Sequence, residues 1–209
     1  MIDSYDRLPV GKYMQILAAL DRTDNEEIDR QLEVISILSG ISVDDIGMME
    51  LSAYRELSSR AAFLGEEYAP EMELPSTIKA GRFELEYIKD YAKLTVSQYV
   101  DFQTFCKDGR HKIVEMLSCL LVPKGHKYNQ DYDVLEVQSA LRETLMTSEA
   151  VALAAFFLKL YVDSIGNTLA SLESEAKKES DPKMKASILR EISRIKEEFL
   201  ATIGDGSPA

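Results

Sequence analysis

Cysteine and histidine are the residue types here best suited to hold a metal or attack a substrate, and four of them fall close together as Cys106, His111, Cys119 and His126. The gaps between them are 4, 7 and 6 residues. No common zinc module has that spacing, and the four residues would sit on separate helices and a loop. The plainer reading is two reduced core thiols and two surface histidines, with no disulfide. The stretch "NQDYD" offers Asp131 and Asp133 as calcium ligands. An EF-hand would also need a glycine at its sixth position and a glutamate at its twelfth, and neither is in place, so an acidic helix-capping turn fits better.

Other reaction centres leave recognisable strings. The chain has no G-x-G-x-x-G, G-x-x-x-x-G-K-[ST], H-E-x-x-H, C-x-x-C or G-x-S-x-G, so dinucleotide, phosphate-loop, zinc-protease and α/β-hydrolase chemistry lack support. Its many carboxylates fall where solvated helix faces are expected rather than in pairs set for acid–base work. The expectation is a non-enzyme with no cofactor and no metal.

Charge narrows the partners. The chain of 209 residues carries 36 acidic against 24 basic side chains, a formal charge of −12, and its first 67 residues hold 14 acidic against 6 basic. Such a surface repels phosphate backbones and anionic lipid, so neither nucleic acid nor membrane is the expected partner, and a cationic protein suits it better. Tyr91, Tyr99, Phe102 and Phe105 lack the neighbouring basic cluster that a base-stacking groove needs. The start "MIDSYDRLPV" has neither the basic nor the apolar region of a signal peptide, and no apolar window is long enough to span a membrane, which places the chain in the cytosol.

These residues must be positioned by helices, because the apolar spacing is helical almost throughout. "VGKYMQILAAL" puts Val10, Tyr13, Ile16, Leu17 and Leu20 on one face. Asp24 or Asn25 can then cap a helix ending at Gly40, and Ser42 with Asp45 forms an imperfect capping box. Leu51, Tyr54, Leu57, Ala61 and Leu64 complete a four-helix lobe over residues 1–67. Pro70 and Pro75 interrupt the pattern, and Ile78, Phe83, Leu85 and Tyr87 alternate about Ala80 and Gly81 as a β-hairpin, within a linker over 68–92. A lone hairpin is marginal in water, so it should lie against a helical lobe.

A second helical lobe spans 93–172 and replays the first. "LTVSQY" at 94 repeats the L-x-V-x-x-Y frame of "LPVGKY" at 8, and "LSCL" at 117 and "AFFL" at 155 answer "ISIL" at 35 and "AAFL" at 61. The fold class is therefore mainly α, with two related lobes from an internal duplication, joined by the hairpin, and a C-terminal helical hairpin with a helix and frayed tail over 173–209. In that last helix Asp181 is the N-cap, Pro182 the first position, and Ile188, Ile192, Ile195 and Phe199 form an apolar seam. The seam suits packing on the preceding helix, or a homo-oligomer or partner face.

The stretch over 95–133 holds the best candidate interface. Val96, Tyr99, Phe102 and Phe105 share one helical face, with Gln98, Asp101 and Gln103 off it, so the aromatics can be buried while polar groups remain on offer. Val122 and Pro123 end the next helix, and "PKGHKYNQDYD" is a long loop with two tyrosines, either a binding loop or one pinned by those tyrosines to its lobe. The candidate partner interface is Tyr99, Asp101, Phe102, Gln103, Tyr128 and Tyr132.

Three strings in this half, "TVSQYVDFQTF" (95–105), "VPKGHKYNQDYD" (122–133) and "FFL" (156–158), follow the hairpin "IKAGRFELEY". Together they resemble a group of small helical proteins encoded among virion-morphogenesis genes of tailed bacteriophages of gut Bacteroidetes. The chain is more loosely similar to the tail assembly chaperones of long-tailed phages. The closer resemblance covers residues 77–172 and supplies no functional residues to carry over. It implies a non-enzymatic role in the host cytoplasm: coating a long tape-measure protein until the tail tube forms around it. Duplicated lobes would then add avidity. A permanent virion component (head-to-tail ring, adaptor or cargo protein) is the alternative within the same biology. A host-directed regulator or an enzyme with an unrecognised site is the alternative outside it.

Overall fold

The computed structural model describes residues 1–24, 26–66, 68, 74–107 and 109–203, of which 109, 110 and 198–203 are described by backbone alone. The protein is mainly α, as its apolar spacing predicts. Among the described residues there are nine α-helices and one three-stranded antiparallel sheet. Asn25, Glu67, Pro70 and the tail from Gly204, all given roles above, lie outside the described residues, as does the side chain of Phe199.

Helix α1 (Val10–Leu20) opens at the first L-x-V-x-x-Y frame, with Leu8 and Val10 fully buried. Helix α2 (Glu27–Ser39) ends at Gly40, whose φ of 75° lets its N–H reach the Ser36 carbonyl at 2.8 Å. Its N-cap is Glu26, which makes no side-chain capping bond, rather than Asp24. Helix α3 (Val43–Gly47) is capped by Ser42, which accepts from the Asp45 N–H at 3.1 Å and donates to the Asp45 carboxylate at 2.5 Å. The aspartate thus reaches the hydroxyl, being one methylene shorter than the glutamate of a full capping box. Helix α4 (Leu51–Ala61) follows and tightens into a 3₁₀ turn over Ala62–Gly65. Leu8, Ile16, Ala19, Val34 and Leu38 form the core between these elements. Tyr5 closes it, edge-on to Phe63 with ring centres 5.1 Å apart.

The hairpin forms as read, with β1 (Ile78–Ala80) and β2 (Phe83–Tyr87) in the register Ile78 to Leu85 and Ala80 to Phe83. Gly81 turns it at a φ of 53°. The reading of Val122–Pro123 as a helix end requires correction. After α5 (Val96–Cys106) and α6 (Ile113–Leu120), residues Leu121–Pro123 form a third strand, β3, antiparallel to β2, with Leu85 opposite Pro123 and Tyr87 opposite Leu121. Three residues are too few to display an alternation, and proline is tolerated there because an edge strand can do without one donor.

Helix α7 (Val134–Thr144), the long α8 (Thr147–Lys178) and α9 (Pro182–Ile203) complete the chain. The chain forms two compact units, but their limits differ from the expected lobes. One is built from residues 1–88 and 95–155, the other from 89–94 and 156–209. The first four helices do not stand apart from α7 because the chain before α1 is stitched to the α7–α8 junction. The Val10 N–H donates to the Leu145 carbonyl at 2.8 Å, and the Thr147 N–H and hydroxyl both donate to the Leu8 carbonyl at 2.7 Å. Pro9 and Met146 form a β-bridge between these bonds.

In the second unit, Lys183 N–H bonds the Asp181 carboxylate at 2.9 Å, so Asp181 caps α9 as expected. Ile192 is buried, Ile188 and Ile195 half-buried, and Lys196 reaches Glu173 of α8 at 3.1 Å. The seam therefore faces the preceding helix.

Candidate functional site

Helix α5 carries four of the candidate interface residues and is placed by its polar side. Thr95 caps it with a full capping box: the hydroxyl accepts from Gln98 N–H at 3.3 Å, and Gln98 Oε1 accepts from Thr95 N–H at 3.0 Å. The other end of the same side chain, Nε2, donates to the Cys119 carbonyl at 3.0 Å. That carbonyl is one of the last in α6, and the chain after Leu120 turns into β3 instead of returning a helical N–H to it. Gln98 satisfies this helix-end carbonyl and is itself 4% exposed.

The expectation that the apolar face of α5 is its buried face is overturned by this bond. Seating Gln98 turns Val96, Tyr99 and Val100 outward, at 81%, 43% and 52% exposure, while Phe102 and Phe105 are half-buried. The two L-x-V-x-x-Y frames thus open helices of 11 residues each, yet Val10 is fully buried and Val96 is the most exposed apolar residue of its helix. A frame that anchors a core in α1 presents a surface in α5.

Below Gln98 a polar chain runs through the core. Tyr128 donates to the Asp101 carboxylate at 2.9 Å, and its hydroxyl lies 3.5 Å from the Cys119 sulfur. Cys119 Sγ also donates to the Glu115 carbonyl at 3.3 Å, and Ser118 donates to the same carbonyl at 2.8 Å. Gln138 of α7 donates to the Ser118 hydroxyl at 3.0 Å. Glu115, 8% exposed, accepts from Lys112 at 3.2 Å and Arg142 at 3.0 Å, both on Oε1.

Burial, then the bonds to Cys119 and Asp101, push the Tyr128 phenol far above its ordinary value. Burial alone pushes Cys106 up to about 11 and is the main cause of the same rise at Cys119. Thiol and phenol are therefore neutral hydrogen-bond partners near pH 7, opposite to the low-pKa environment that makes a thiol nucleophilic. The chain's chemistry is that of orientation: it fixes α5, α6, α7 and the loop over 124–133 against one another.

That loop is pinned by one tyrosine more than by the other. Tyr128 is buried, whereas Tyr132 is half-buried, accepts from the Asn129 N–H at 3.5 Å and meets His126 edge-on at 6.0 Å. Asn129 and Asp131 adopt left-handed φ of 54° and 60°, and Asp133 caps α7 by accepting from Leu135 N–H at 2.8 Å. Beside it opens a cleft of about 400 Å³, walled by Glu86 and Val122 of the sheet, Thr95 and Ser97 of the α5 start, and His126, Lys127 and Gln130 of the loop.

Of the six candidate interface residues, the structure brings Asp101 and Tyr128 together, sets Tyr99 on the outer face, and leaves Phe102 and Tyr132 half-covered. Gln103 is half-buried, with Nε2 shielded from solvent and unpartnered among the described residues. Gln98, expected among the polar groups on offer, is instead buried, and Glu115, Ser118 and Gln138 are buried members that the sequence reading does not name. The T-x-x-Q string at 95–98, a capping box, is the signal that points to Gln98.

The cysteine–histidine set does not converge. Cys106 faces the Met116 sulfur at 3.6 Å, His111 pairs with Asp21 at 2.8 Å, and no three metal-ligating side chains cluster among the described residues. Nor is any described helix long and apolar enough to cross a membrane. Compared with known proteins, the chain matches no family model, no curated protein and no solved structure.

Proposed function

We propose that this chain is a non-enzymatic assembly factor that holds a long helical protein partner, in the manner of a phage tail assembly chaperone on its tape measure. The observation that carries the reading is the inverted α5: its buried side is satisfied by Gln98, and its outer side offers Val96, Tyr99 and Val100 to solvent. Apolar groups left out by a helix whose inward Gln98 is bonded at both ends of its amide are suited to a partner rather than to the protein's own core. The charge of −12 keeps such a surface soluble and favours a partner with basic character. No residue of the polar chain is placed as an acid, base or nucleophile.

The test is co-expression with a tape-measure-like helical protein sought among the neighbouring reading frames, followed by affinity purification and by mass spectrometry of purified particles. The expected result is a stable complex in the cytoplasm and absence from finished particles. Stoichiometric copies within particles would assign the chain to the virion itself, as a ring, adaptor or cargo protein. A substrate turned over by the purified chain would overturn the non-enzymatic reading.

A further inference from the structure

Helix α4 buries none of its 11 residues, although it carries Leu51, Tyr54 and Leu57 at helical spacing. Between it and α2 lies an open groove of about 190 Å³, walled by Leu20, Val34, Ile35, Tyr54, Ser58 and Leu64. The apolar walls continue beyond it, since Ile28 shares a face of α2 with Gln31 and Ile35, and Leu51 shares a face of α4 with Tyr54 and Ser58. Both Ile28 and Leu51 are exposed.

Within that wall the Ser58 hydroxyl is shielded from solvent and has no hydrogen-bond partner among the described residues. Serine within a helix ordinarily satisfies itself on the carbonyl four residues back or in water. Among the described residues the Ser58 hydroxyl finds no such partner.

Charge identifies the occupant. Residues 1–67 hold 14 acidic against 6 basic side chains. Glu27 lies one turn before Gln31 on the groove side of α2, and on α4 Glu50 lies one turn before Tyr54 while Arg55 lies one turn before Ser58, two carboxylates against one guanidinium. An apolar trough between two helices accepts the ridge of a third, and the net acidic charge of this lobe favours one whose polar flanks are basic. We infer that the groove between α2 and α4 is the docking site of a cationic amphipathic helix from a partner protein. It is a different surface from the outer face of α5 and does not depend on the partner being a tape measure.

The full chain is titrated against a fluorescent peptide of about 18 residues with leucine recurring at i, i+3, i+4 and i+7 and lysine on its flanks, read by anisotropy. Saturable binding is expected at low salt and should weaken as salt is raised. The same peptide with glutamate for lysine should bind at least about tenfold more weakly. Ala62→Trp, at an exposed lining position, fills the trough and should weaken binding by about tenfold with the melting curve unchanged. Gln31→Lys, on the exposed rim, should weaken binding several-fold at low salt only and decides the matter if Ala62→Trp does not fold. Val96→Asp should leave this titration untouched, separating it from the α5 reading. Equal binding of the glutamate peptide, indifference to both groove variants, or no saturable binding would each overturn the inference.

Discussion

The amide of Gln98 sits 3.0 Å from the carbonyl oxygen of Cys119, in the last turn of α6, where the chain leaves the helix for β3 and supplies no helical N–H of its own. One side chain thereby completes two helix ends at once, the start of α5 through the capping box and the end of α6 through this bond. It also sets the rotation of α5, and so decides which of its residues meet solvent.

Gln98→Leu should cost about 1–3 kcal/mol, since it keeps the volume but strands a buried carbonyl. Urea unfolding checks the size, and a loss below about half a kcal/mol would mean that water satisfies Cys119 equally well. A Tyr99 that becomes less accessible to surface labelling in this variant would show α5 rotating once its polar tether is gone.

The raised thiols and phenols predict the alkaline limit. Tyr128 starts from an ordinary value of 10.0, and Cys106 and Cys119 from 9.0, and all three hold their protons more tightly in the folded chain. The folded state then binds more protons than the unfolded one above pH 9, so its stability is fully present below that pH and declines as pH rises toward 11 and beyond. Tyr128→Phe should lose about 1 kcal/mol at pH 7 and show a shallower decline above pH 10. Urea midpoints from pH 7 to 11 distinguish this from a slope that the variant leaves unchanged.

Gly11 marks the closest approach of α1 to α7. A Cβ there would lie 2.6 Å from the backbone oxygen of Arg142. Gly11→Ala must push the helices apart, at a cost of about 1–3 kcal/mol. Gly166, inside α8 with nothing within 4 Å, is the control, where alanine should stabilise by up to about 1 kcal/mol. Thermal melts of the two variants should move in opposite directions.

Element types were legible because helical spacing, Gly40, Ser42 and the Asp181–Pro182 pair are local signals, and each sits in the structure where local chemistry places it. What escaped was long-range. β3 exists only because β2 lies beside it, and the fusion of the first helices with α7 depends on bonds from Leu8 and Val10 to residues about 135 positions away. The rotation of α5 was misread for the same reason. Its apolar residues outnumber its buried polar one, and only the end of another helix, α6, reveals why Gln98 is buried.

The outward face of α5 can be charged without harm to the fold, which makes it a clean test of the assembly role. Val96 is the first residue of the helix and 81% exposed, so Val96→Asp removes little buried area and places an anion at the positive end of the helix dipole. The melting temperature should be unchanged or slightly higher, by the equivalent of about 0.3–1 kcal/mol. Val100→Asp lies one turn further along the same face and should be close to neutral for the fold. If this face holds the partner, the double variant remains folded and loses co-purification, because two desolvated carboxylates oppose a contact that two valines favour. Retention of the partner by a folded double variant would remove α5 from the interface.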